Sequence, residues 1–155
     1  MGTNLDREAN LRSAIAALRT RFGALEISPV YESAAQGFDG EPFYNLVVAL
    51  RTDESAAAVT AALKQIERAH GRESRGPKFA PRSLDLDLLT YGDNPLEVDG
   101  VHLPRADILR YAFVLRPLAE LAPEGRHPRL GTSYRTLWET FAGTDDLTPV
   151  AITFD

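Results

Sequence analysis

Two aspartates one residue apart lie in the stretch Pro81-Arg82-Ser83-Leu84-Asp85-Leu86-Asp87-Leu88-Leu89. In an extended strand alternate side chains share a face, so Asp85 and Asp87 project one way while Leu84, Leu86 and Leu88 project the other, toward a core. This spacing holds the two carboxylates about 7 Å apart at their backbones. Hard oxygen donors at that separation suit magnesium, which takes a few carboxylates and fills its shell with water and phosphate oxygens. Just upstream, Arg72, Arg75, Lys78 and Arg82 gather fixed positive charge in a glycine- and proline-containing stretch whose one large apolar residue is Phe79. Guanidinium groups grip phosphate oxygens through paired hydrogen bonds and offset the charge that builds on a leaving oxygen. Either feature alone has a plain reading, as a solvated strand face or a solvated loop. Side by side they supply what phosphoryl-type transfer needs: cations across a phosphate chain and stabilisation of an in-line transition state.

The rest of the chain has to position those groups. Its 155 residues and 44% hydrophobic content predict one globular domain over 1–155 with a single core. A formal charge of -5 argues against bulk attraction to nucleic acid or to an anionic membrane, so an anion site must be local. No apolar run is long enough to cross a bilayer, and the N-terminus lacks the layout of a secretion signal, which predicts a cytoplasmic protein. The absence of cysteine removes disulfide, thiol and thiolate–zinc chemistry. His70, His102 and His127 are too scattered to form a metal cluster. Small-molecule partners, no nucleic acid, no membrane, and a monomer or weak dimer are the expectations.

Leu11, Ile15, Leu18 and Phe22 recur at steps of three and four, predicting an amphipathic helix over Asp6–Phe22 that Gly23 ends. Residues 25–31 read as a strand that meets Pro29, residues 33–42 as a loop, and 44–50 as one buried strand with Asn45 as its polar intruder. Asp53 or Ser55 caps a second helix with Val59, Leu63 and Ile66 on one face, ended near Gly71. The stretch Gly71–Pro81 reads as a mobile surface loop, Ser83–Tyr91 as a clear strand, and Val98–Leu103 as a second extended piece. Leu109–Leu121 reads as helical in part despite Pro117, with a short helix around Leu137, Trp138 and Phe141 and a last strand over Val150–Phe154. Helix, strand, strand, helix, strand is the order of an α+β, ferredoxin-like split βαβ sandwich, an antiparallel sheet with helices packed on it, whose first strand is missing from this chain.

Arg82-Ser83-Leu84-Asp85-Leu86-Asp87-Leu88-Leu89-x-Tyr91-Gly92, preceded by Gly71-Arg72, closely resembles the signature of hydroxymethyl-dihydropterin pyrophosphokinases. Gly2-Thr3-Asn4 looks like the family's opening turn, Val30-Tyr31-Glu32-Ser33 and Phe43-Tyr44-Asn45 like its pterin side, Ile66-Glu67 like its second helix, and Phe113-Val114-Leu115-x-Pro117-Leu118 continues the likeness to about residue 123. The resemblance implies transfer of diphosphate from ATP to hydroxymethyl-dihydropterin in folate biosynthesis, with AMP released and no covalent enzyme intermediate. It implies two Mg2+ ions on Asp85 and Asp87, with Arg72, Arg82 and Arg75 on the phosphates. Asn45 and Ser33 would read the pterin, and Phe43, Phe79 and Phe113 would sandwich its ring. Closure of the 71–81 loop over ATP would exclude water.

Departures cluster on the nucleotide side. Pro104-Arg105-Ala106 stands where the family commonly has Pro-His-Pro, and Tyr111 stands where it often has arginine, with Arg110 one step earlier. Arg105 and Arg110 are the expected substitutes as nucleotide ligands. The family's opening turn also follows an interior strand, whereas Met1 stands at the turn here, so either upstream residues or Val150–Phe154 are expected to fill that place. A catalytically impaired pterin- or nucleotide-binding ferredoxin-like module is the alternative reading.

Overall fold

The computed structural model describes residues 1–34, 40–71, 84–143 and 146–154. It is an α+β structure, with helices packed on antiparallel sheets. The longest helix, α1 (Arg7–Phe22), buries the predicted Leu11, Ile15 and Leu18 together with Ala14, while Phe22 at its end is half-buried. It ends at Gly23, whose φ of 84° is open to glycine at little cost. Helix α2 (Ala56–Ala69) is capped by the Ser55 hydroxyl, which accepts from the Ala58 amide, and buries Val59, Ala62, Leu63 and Glu67. Leu11, Ile15, Leu46, Val59, Leu84 and Leu86 meet in the largest core cluster. Burying a leucine or isoleucine side chain contributes roughly 1.5–3 kcal/mol, so this cluster fixes α1 and α2 against the sheets.

Two predicted strands are each broken, at facing points. The first sheet runs β1 (Gly2–Thr3), β4 (Phe43–Asn45), β3 (Val30–Ser33), β8 (Thr148–Val150), and a second, two-stranded sheet pairs β2 (Leu25–Ile27) with β5 (Val48–Leu50). Ser28-Pro29 separates β2 from β3, and Leu46-Val47 separates β4 from β5, so both chains change sheet together. Proline at residue 29 offers no amide to a ladder. Across the break the Ser28 hydroxyl accepts from the Val47 amide at 2.8 Å, and Val47 O accepts from Ser28 N at 2.9 Å. The continuous 44–50 strand is therefore corrected to two short ones whose polar backbone groups are met at the joint.

The predicted Ser83–Tyr91 strand is corrected as well. Among the described residues its ladder is a single bridge, Gly2 with Asp85. The extended piece near 98–103 is a hairpin, β6 (Leu96–Val98) and β7 (Val101–Leu103), turned by Asp99 and Gly100 at φ 49° and 80°. Positive φ at both central positions is the hairpin turn that matches strand twist. The helix expected over 109–121 divides at Tyr111 into α3 (Asp107–Arg110) and α4 (Ala112–Leu121), with Pro117 accommodated inside α4. A short α5 (Tyr134–Glu139) follows, capped by Ser133. The tail strand β8 pairs along β3, at the opposite edge of its sheet from β1, so the tail does not fill a place beside β1. Pro149 is tolerated there because an edge strand leaves one row of amides outside the ladder.

Candidate active site

Gly2 organises the site. In the ladder it stands opposite Asn45 on one side and bridges Asp85 on the other, exchanging Gly2 N to Asp85 O at 3.0 Å and Asp85 N to Gly2 O at 2.7 Å. One strand spacing on each side puts Asn45 and Asp85 about 10 Å apart at the backbone. A side chain at Gly2 would collide with its neighbour, since a Cβ there lies 2.9 Å from Asn45 Oδ1.

On the Asn45 side the groups are buried and paired. Asn45 Nδ2 donates to Ser33 Oγ at 2.7 Å, and both residues are 7% exposed. The register that sets Tyr31 opposite Asn45 and Ser33 opposite Phe43 brings them together across β3 and β4. Half-buried Phe43 flanks this pair. Near it Asn4 Nδ2 donates to Glu41 O, and Arg7 donates to both Glu32 and Pro42 O while its guanidinium lies 4.1 Å from the Tyr44 ring centroid. These contacts tie the start of α1 to the segment entering β4.

On the other side the burial alternates as the sequence predicts: Leu84 and Leu86 are buried, Asp85 is half-buried and Asp87 is exposed. The Leu86 amide, between the two aspartates, donates to Glu67 Oε1 at 2.8 Å. Lys64 Nζ lies 3.2 Å from the same Glu67 oxygen and 3.8 Å from Asp87 Oδ1. The Met1 ammonium donates to Leu46 O at 3.0 Å. Burial pushes its pKa below the ordinary value, while Asp87, then Asp85, then Glu67 pull it back up. Among the described residues no three acidic or histidine side chains gather as a complete metal cage. The donor set fits an ion that takes a few carboxylate oxygens and completes its shell from water and phosphate, which is magnesium's habit.

The other predicted site residues are spread more widely. Arg105 sits half-buried after β7, its amide bonded to Leu89 O at the far end of the acidic segment. Its Nε is shielded from solvent with no hydrogen bond among the described residues, and Asp107 Oδ1 lies 3.9 Å away. Arg110 is exposed at the end of α3. Phe113 already stacks on Tyr111, with centroids 4.9 Å apart and planes at 17°, so one of its faces is taken. Arg72, Arg75, Phe79 and Arg82, and with them the expected 71–81 loop and its closure, lie outside the described residues apart from Gly71. The histidines have local contacts: His70 with Ile66 O and Ser13 Oγ, His102 near Glu97, and His127 Nδ1 accepting from the Arg129 and Leu130 amides.

Glu67 and Lys64 were not singled out from the sequence as site residues. A signal was there, because Glu67 continues the Val59, Leu63, Ile66 stripe and so places a carboxylate on the buried face of α2. A buried charge needs compensation, and Lys64 one turn earlier provides it.

A cavity of about 810 Å³ opens from Asp87 along Leu86–Gly92 and the outer edge of β5, with Leu118, Leu121 and Tyr134 as further walls. Its lining is largely apolar and does not include Asn45, Ser33, Phe43 or Phe113.

Fold and site together define a small α+β protein with a buried amide–hydroxyl pair on one side of a glycine and an acidic edge on the other. Residues 1–123 match the family described as 7,8-dihydro-6-hydroxymethylpterin-pyrophosphokinase. Among curated relatives, the 2-amino-4-hydroxy-6-hydroxymethyldihydropteridine pyrophosphokinase of Synechocystis sp. is 39% identical over 133 residues, covering 84% of this chain and 67% of the relative. Its namesake from Porphyromonas gingivalis is 35% identical over 138 residues, 85% of this chain and 93% of the relative. That of Bacillus subtilis is 29% identical over 156 residues, 94% and 92% of the two chains. The chain belongs to the hydroxymethylpterin pyrophosphokinase family.

Proposed function

We propose that the acidic edge and the Asn45–Ser33 pair are the two halves of one transfer site, joined through Gly2. The chain is a pterin pyrophosphokinase of folate biosynthesis, placing the diphosphate of ATP on the hydroxymethyl group of hydroxymethyl-dihydropterin. Asn45 receives the flat heterocycle through hydrogen bonding to its amide edge, beside Phe43 on the same strand, and Phe113 is assigned to the ring on the resemblance, through the face that Tyr111 leaves open. Asp85 and Asp87 would hold the two expected divalent cations, which would supply positive charge to screen the phosphates. The hydroxymethyl oxygen attacks the β-phosphorus of ATP, the bond from that phosphorus to the oxygen bridging it to the α-phosphorus breaks, AMP departs with the electron pair, and the hydroxyl proton passes to water. Arg105, half-buried after β7, and exposed Arg110 are the cations within the described residues assigned to the nucleotide. Arg72, Arg82 and Arg75 are assigned to the phosphates, and Phe79 to the pterin ring, on the resemblance alone.

The observation that carries this reading is the double pairing of Gly2, which fixes a recognition group and an acidic group one strand spacing to either side. The test is AMP release from the purified protein. Product is expected only with ATP, hydroxymethyl-dihydropterin and magnesium all present; ligand binding without AMP would favour the impaired module.

The ferredoxin-like reading, with its interior strand before Gly2, is supported by the 810 Å³ slot, because the slot follows an edge of β5 that is unpaired among the described residues on one side and Leu86–Gly92 on the other. An extended apolar segment there would meet backbone groups on both walls. Adding about eight apolar residues before Met1 should raise the melting temperature by several degrees, as ~1 kcal/mol does for a domain of this size; an unchanged melt would remove the reading.

A further inference from the structure

The acidic edge carries its own cation. Lys64 Nζ lies 3.2 Å from Glu67 Oε1 and 3.8 Å from Asp87 Oδ1, and the two contacts differ in kind. The Glu67 side chain is 2% exposed and the Asp87 side chain 40% exposed. A buried carboxylate retains its counter-ion, since losing it leaves an uncompensated charge away from water. An exposed pair is weak and easily exchanged. Glu67, one helical turn along α2, therefore sets where the ammonium sits, and Asp87 shares it.

We propose that Lys64 is a resident counter-ion at the acidic edge that holds down the protein's affinity for a bare divalent cation until nucleotide phosphate is present. This rests on the reading of Asp85 and Asp87 as the metal carboxylates. A cation approaching Asp87 meets a unit positive charge already beside its ligand, and Glu67 prevents that charge from leaving. Phosphate oxygens change the balance, because the ammonium has three donors, and among the described residues its protein partners are the two carboxylates, the rest facing solvent. With a triphosphate at the site, Lys64 turns its spare donors to anionic oxygen and its opposition to the metal is lifted. Lys64 is thus a positioning residue that couples metal loading to nucleotide.

Mn2+ binding, followed by its electron paramagnetic resonance in the full chain, tests this apart from activity. Without nucleotide, Lys64→Met should bind Mn2+ roughly 2- to 5-fold more tightly than the parent, the size an exposed charge pair allows. Lys64→Arg should behave like the parent, and Lys64→Gln should repeat the Met result if Met disturbs the fold. With a nonhydrolysable ATP analogue the advantage should vanish or reverse. Equal Mn2+ affinity in the parent and both neutral variants overturns the role of Lys64 and leaves the metal site standing. If Asp87→Asn binds Mn2+ as the parent does, the acidic pair is not the metal site and both readings fall together.

Discussion

The two neighbours of Gly2 are held in different ways. Asn45 lies inside β4, between β1 and β3, and its side chain is tied to Ser33 in a buried pair. Asp85 has one bridge, and the next residue along is held by a side chain of α2, Glu67 Oε1 accepting from the Leu86 amide. One half of the site is fixed by ladder and core, the other by a helix reaching across to a segment whose pairing is sparse among the described residues. A flat heterocycle is read by groups that must be in place beforehand, whereas carboxylates that hold a hydrated cation gain from small adjustments as phosphates arrive.

The largest effect should come from the adjustable half. Asp87→Ala removes an exposed carboxylate with no core role, so the fold should survive, while AMP formation should drop by at least ~100-fold, the order seen when a charge-stabilising group is lost. Circular dichroism beside the AMP assay checks both parts. A rate close to the parent's would leave the acidic edge without a part in the chemistry and the comparison without a second side.

The fixed half predicts a smaller loss of another kind. In Gly2→Ala the new methyl carbon would start 2.9 Å from Asn45 Oδ1, too close to remain there, and must displace the amide or the strand. Overpacking of this sort costs about 1–3 kcal/mol. The KM for the pterin should rise roughly 10-fold, the equivalent of ~1.4 kcal/mol, with the KM for ATP little changed. If both constants rose together, Gly2 would be a general support for the sheet and the two halves would not be separable.

That asymmetry also governs what the sequence disclosed. Alternation put Leu84 and Leu86 in the core and Asp85 and Asp87 away from it, because a two-residue period survives even where the ladder, among the described residues, is one bridge. The helices over 7–22 and 56–69 followed from apolar spacing and from Ser55 and Gly23 at their ends. The breaks at Ser28-Pro29 and Leu46-Val47 were hidden, since the apolar run 46–50 has the same composition whether it stays in one sheet or crosses to another. Proline 29 marked one of the two breaks. Its partner is set by which strand each half pairs with, a long-range property. For the same reason Asn45 was legible as a polar residue in a strand, but its pairing with Ser33 was not, and Glu67 was legible as a charge on an apolar stripe while its bond to Leu86 was not.

The smallest effect tests whether the helix acts on the acidic half as a whole or through one end. Ser55 caps α2, its hydroxyl accepting from the Ala58 amide at 3.1 Å, while Lys64 and Glu67 project from the last turns of the same helix. Ser55→Ala leaves an amide without its partner and should lower stability by about 1 kcal/mol. Fraying of that kind is confined to the first turn, and Val59, Leu63 and Glu67 beyond it are anchored in the core. Below the melting range the AMP-forming rate and both KM values should therefore match the parent's. A fall in rate at full foldedness would show that disturbance at the start of α2 travels to Asp87, making the adjustable half dependent on the entire helix rather than on the contact between Glu67 and the Leu86 amide.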